Sequence, residues 1–97
     1  MRFEWDADKA RRNAQTHRIA FEDAITAFDD PFALIAPDDK HSRLGELREW
    51  LIGESDNGVL VVVFTERQEG RICRMISARR ASRRERMNYE KFKGVSL

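Results

Sequence analysis

Between Leu47 and Ala78 the chain reads LREWLIG, ESDNG, VLVVVF, TERQEG, RICRMISA: three apolar stretches separated by two short polar ones. Connections this short cannot carry a crossover, so the three stretches must pair as neighbouring antiparallel strands, and the fold has to be built on that meander. The Asn57-Gly58 pair predicts a tight type I′ turn with positive φ. The middle run, Val59 to Phe64, is apolar without alternation, which predicts cover on both faces. That run is also the longest of its kind and falls far short of the roughly 20 residues that span a bilayer.

Other elements fall around this sheet. RFEW alternates and predicts a short first strand, after which Asp6 is placed to cap a helix through ADKARRNAQT, its carboxylate accepting from free backbone N–H groups. Lys9, Asn13 and His17 recur every four residues and predict one polar stripe along that helix. Phe21, Ala24, Ile25 and Phe28 repeat with helical spacing, giving a second helix ended by DDP. FALIA reads as a strand and PDDKHSRLGE as a polar loop carrying His41. Ser82 and Glu85 form a capping box that opens a last helix, with Met87, Tyr89 and Phe92 to bury. The expected architecture is α+β: an antiparallel meander sheet with the two N-terminal helices packed on it and a C-terminal helix, all helices segregated to one side. At 97 residues the chain makes one domain, residues 1–97.

Charge is divided along the chain. Residues 1–66 hold 8 Lys/Arg against 14 Asp/Glu, net −6, and residues 67–97 hold 10 against 3, net +7. Such a division suits a basic surface for a polyanion, an acidic surface for a cationic partner, or two halves that neutralise each other on folding. Cys73 is the sole cysteine, so no internal disulfide forms, and no Cys/His set has zinc spacing. We expect neither metal nor cofactor, no membrane association, and a cytoplasmic location.

Three stretches carry a resemblance: FEWDADKARRNAQTHRIAFEDAITAFDDP, DDKHSRLGELREWLIG and RMISARRASRRERMNYE. In this order they resemble the BrnT family of toxins from type II toxin–antitoxin systems. The resemblance implies a RelE-like fold, ribonuclease activity that arrests translation, and neutralisation by a BrnA-like antitoxin. Operator DNA would be bound only through the antitoxin complex, and a homodimer is expected. Where the family usually has Lys-His-Gly-Val-Ser-Phe, this chain has THRIAF: Thr16 replaces a lysine, Arg18 a glycine, and Ala20 the residue that would cap the second helix. His17 is retained.

A ribonuclease that works without a metal ion must deprotonate a 2′-OH, stabilise charge on the phosphorane and protonate the leaving oxygen. Arginine suits the second task, because its planar, always-charged fork donates to two phosphate oxygens. The candidates are Arg67 in the turn after the long apolar strand, Arg74 and Arg79 on and after the last strand, and His41 as acid or base. Each has a simpler reading: a solvated hairpin charge for Arg67, a snorkelling side chain for Arg74 sharing a face with Ile72 and Ile76, an ion pair with Glu46 or Glu85 for Arg79, and an idle loop histidine for His41. Lys9, His17, Arg80 and Arg83 are candidate contacts to the RNA backbone. The same arginines would equally serve a non-catalytic nucleic-acid-binding module, and the charged halves a domain that only binds a protein partner.

Overall fold

The computed structural model describes residues 1–95. In chain order it holds β1 (Arg2–Glu4), α1 (Ala7–His17), α2 (Phe21–Ala24) running on into a 3-10 turn (Ile25–Asp29), β2 (Leu34–Pro37), β3 (Arg48–Ser55), β4 (Gly58–Arg67), β5 (Ile72–Arg80) and α3 (Arg83–Val95). β2 to β5 form the antiparallel meander, but β1 adds itself beside β5 in parallel, giving the order β1-β5-β4-β3-β2 and a mixed sheet. Helical α1 and α2 lie between β1 and the meander in sequence, which is the long connection a strand needs before it can join an edge in parallel. Phe3 anchors β1 edge-on to Phe28 of the 3-10 turn, 5.0 Å between ring centres. No helix among the described residues is long and apolar enough to cross a membrane.

Alternation sends side chains to two different cores. Leu51, Leu60, Val62, Phe64, Cys73, Met75 and Ala78 face α1 and α2 and pack with Ile19, Phe21, Ala24 and Ala27. Their neighbours Ile52 and Val61 face the other way and meet Tyr89 of α3. The helices therefore cover both faces, contrary to the one-sided layering expected from the sequence; the unbroken apolar run of β4 has cover on each side because α3 crosses back under the sheet. Tyr89 is fully buried, and its hydroxyl donates to Asp30, which also accepts from the backbone N–H of Glu54 at 2.8 Å and of Phe32 at 2.9 Å. Burial alone would raise the Asp30 carboxyl, but these hydrogen bonds hold it below its usual range.

Several local expectations change. The hairpin turn is not type I′: of Asn57 and Gly58 only the glycine has positive φ, at 91°, and Ser55 Oγ accepts from the Asn57 N–H. Asp6 sits at the start of α1 but makes no side-chain cap, and Ala20 has none to offer, so α2 lasts one turn before tightening to 3-10. Arg18 ends α1 at φ 60°, the left-handed conformation that glycine adopts without cost. Gly53 lies directly beneath the 3-10 turn, where an added Cβ would come within 2.8 Å of the Ala27 carbonyl oxygen. The capping box forms as expected: Ser82 N–H donates to Glu85 Oε1 at 2.8 Å, and Glu85 N–H to Ser82 Oγ at 3.2 Å.

The largest departure is a bulge. Val63 pairs with Ser77 but Phe64 pairs with Met75, so Ile76 is an extra residue on β5. It breaks the alternation that would have put Ile76 beside Ile72 and Arg74, and turns it toward α1. Just past the bulge, buried Asn13 takes the place of a strand neighbour. Its amide nitrogen donates to the carbonyls of Ala78 (2.8 Å) and Ile19 (2.9 Å), and its oxygen accepts from the Ala78 N–H (3.0 Å). The polar stripe expected along α1 is thus interrupted: Asn13 points in, while Lys9 and His17 stay outside.

Candidate active site

The face of the sheet turned away from α1 carries one row of polar side chains across all its strands. Arg48 is opposite Thr65, Thr65 is opposite Arg74, and Arg74 is opposite Glu4. Asp38, just past β2, continues the row by donating its backbone N–H to the Arg48 carbonyl at 2.8 Å. All share the face because their strand neighbours Leu51, Phe64, Met75 and Phe3 belong to the opposite core. Strand spacing puts the Arg48 and Arg74 Cα atoms about 10 Å apart with Thr65 between them. Arg67 is two residues along β4 from Thr65 on the same side, hence about 7–8 Å diagonally from each. Three arginine positions so flank Thr65, which is itself buried and donates its hydroxyl to the Leu47 carbonyl at 2.8 Å.

Their charges are not equally committed. Arg48 Nε pairs with Glu46 at 3.1 Å and Arg74 with Glu4 at 3.3 Å, each a single, partly exposed contact. Arg67 makes no ion pair among the described residues. It borders a cleft of about 640 Å³ lined also by the Gly45–Leu47 segment, Glu49 and Glu66. Burial, together with the charge of Glu66, pushes the Glu49 carboxyl up. Burial and the same two carboxylates push the Cys73 thiol up to about 12, so that thiol is inert.

His41 stands at the Arg48 end of the row. Its Nδ1 is 2.9 Å from Asp38 Oδ2, and the turn that carries it is pinned to β3 through Ser42 Oγ, which donates to the Asp38 carbonyl and accepts from the Arg48 N–H at 2.9 Å. With the Asp38 carboxylate as acceptor at Nδ1, Nε2 is the end of the ring left open. His41 is 59% exposed and Asp38 only 14%, so the pair presents the imidazole to solvent and keeps its orienting carboxylate behind.

Arg79 is set apart. It lies opposite Val61, about 13 Å further along β4 than Arg74, and both its terminal nitrogens are held by Glu85 at 2.7 and 2.9 Å. That bidentate bond, with the Ser82 bonds, draws the Glu85 carboxyl down to about 2. The structure therefore brings Arg67, Arg74 and His41 to one face and end of the sheet, and leaves Arg79 at the other end as the clasp between β5 and α3. Arg80 and Arg83 are exposed at that same end. Lys9 and His17 line a depression between α1 and Ile76. Reading the sequence missed Arg48 and Asp38, although Arg48 alternates with Trp50 and Ile52 and so had to share their face. Among the described residues no group of three or more His, Cys, Asp or Glu side chains is placed to hold a metal ion.

A small α+β domain with an arginine-lined sheet face and a carboxylate-oriented histidine fits the class of toxin that acts on RNA. The comparison with known families makes this specific: residues 5–85 match the ribonuclease toxin BrnT of type II toxin–antitoxin systems, and the chain belongs to that family. A search of the curated proteins finds no match. Family membership implies an antitoxin partner.

Proposed function

We propose that this toxin is an endoribonuclease that needs no metal ion and uses the 2′-OH of its substrate as nucleophile, at the row of side chains centred on Thr65. The reading rests above all on the placement of Arg48, Arg67 and Arg74 around Thr65 on one face of the sheet, with His41 at its margin. A phosphodiester over Thr65 would receive donors from up to three permanently charged groups, which is where charge develops as the phosphorane forms. His41 Nε2 would remove the 2′-OH proton or return one to the departing 5′ oxygen; bond formation from O2′ to phosphorus expels O5′ and leaves a 2′,3′-cyclic phosphate. Arg79, bound to Glu85, would act on the RNA backbone or on the shape of β5 rather than on phosphorus. Lys9, His17, Arg80 and Arg83 would contact the backbone, and such contacts are blind to sequence. In the cell this activity would arrest translation from the cytoplasm of the host, and a BrnA-like antitoxin would neutralise it, with operator DNA bound through their complex. The fold would be of the RelE-like kind and the toxin a homodimer in that complex.

Purified protein incubated with RNA in EDTA tests the reading. Wild type should cleave, and His41→Ala should be slower by about 10²–10⁴-fold. RNA left intact but bound with steep salt dependence would instead establish a non-catalytic nucleic-acid-binding module.

A further inference from the structure

The depression between α1 and the β5 bulge gathers cations with no carboxylate in its lining. It measures about 290 Å³ and is lined by Lys9, Arg12, Asn13, Thr16, His17 and Ile76. Asp8 is the one acidic residue of α1, and its carboxylate is taken by Arg11, outside the depression. Arg12 reaches only the Asp8 backbone carbonyl, through Nε at 3.5 Å, which leaves its terminal nitrogens available. The shape is fixed from below: Asn13 is tied to Ala78 on the far side of the bulge, and the bulge pushes Ile76 up as an apolar floor. Two permanent cations, an imidazole and a hydroxyl around an apolar floor suit a phosphate with its ribose.

We propose that this depression is a second phosphate-binding subsite for the same RNA strand, holding a phosphodiester several nucleotides from the one being cleaved. The inference rests on the ribonuclease reading for the identity of its ligand. From Arg74 the row continues to Glu4 at the β1 edge, and α1 begins three residues later, so a strand leaving the sheet face over that edge meets Lys9 and Arg12 next. The path is on the order of 15 Å, one strand spacing plus the width of a helix. Short substrates would fill one site only, and longer ones would gain from both.

The test is binding of a fluorescein-labelled 2′-O-methyl RNA dodecamer, which cannot undergo 2′-OH attack, titrated over a range of salt. Lys9→Gln/Arg12→Gln should weaken binding about tenfold and reduce the slope of log K against log salt by about 1, whereas Arg11→Gln should match wild type. Lys9→Glu, also at an exposed position, should weaken it further. Affinity and slope unchanged in the double variant, or lowered equally by Arg11→Gln, would overturn the subsite. Cleavage of unmodified dodecamer by wild type is scored alongside: cleavage with an unchanged slope removes the subsite but not the ribonuclease, and intact RNA with a reduced slope does the reverse.

Discussion

The two faces of the sheet solve different problems with the same strands. Toward α1 and α2 the strands contribute an apolar cluster whose polar requirements are met by a single side chain, Asn13, buried to 6% exposure. Toward α3 a smaller cluster of Ile52, Val61 and Tyr89 is buried, with Phe32, Leu34, Trp50, Val59 and Ala81 packed against it, and the other end of that face holds Arg48, Arg67 and Arg74. One face carries the fold, so the other can carry charge that would be costly in a core.

The comparison can be broken at its strongest point first. Asn13→Ala leaves the N–H and C=O of Ala78 and the C=O of Ile19 without partners in a dry setting, and should cost about 3–5 kcal/mol in urea unfolding. Tyr89→Phe removes only the hydroxyl bond to Asp30, which keeps its two backbone donors, and should cost about 1–2 kcal/mol. An Asn13 variant as stable as the Tyr89 one would mean that the division between faces is wrong.

Acid sharpens the same contrast. The folded-state carboxyl of Glu85 titrates at about 2 against 4.5 for the free group, so its contribution is fully present above pH 4.5 and is lost as pH falls toward 2. After allowance for solvent screening it amounts to about 1 kcal/mol. Glu85→Gln should flatten that part of the pH–stability curve, as read by thermal unfolding between pH 5 and pH 2. The smallest effect is a gain: Arg18→Gly relieves the left-handed backbone at the end of α1 and should stabilise by up to about 1 kcal/mol.

Much of this was readable from the chain. The meander followed from turn spacing and the last helix from Ser82 and Glu85, both local signals. β1 has three residues and a partner some seventy positions away, so nothing local could announce that it runs parallel. A single extra residue at Ile76 is invisible in an apolar run, yet it decides which face every later residue of β5 takes. Asn13 had the spacing of a surface stripe and was drawn inside by two backbone groups of Ala78 that need partners. Of the candidate site, Arg67, Arg74 and His41 were anticipated, but Arg48 entered only through strand register and Asp38 only through its bond to His41. Arg79 is separated from the others for the same reason: register, rather than proximity in sequence, determines which side chains meet.

The most direct measurement compares cleavage and stability for the double variant Arg48→Ala/Arg74→Ala. These side chains sit on the charged face and hold only single, partly exposed ion pairs, so the melting temperature should stay within a few degrees of wild type while cleavage of RNA in EDTA falls by at least about 10²-fold. Undiminished cleavage, or a collapse of the fold with the loss of these two guanidinium groups, would contradict the assignment of that face to phosphate chemistry.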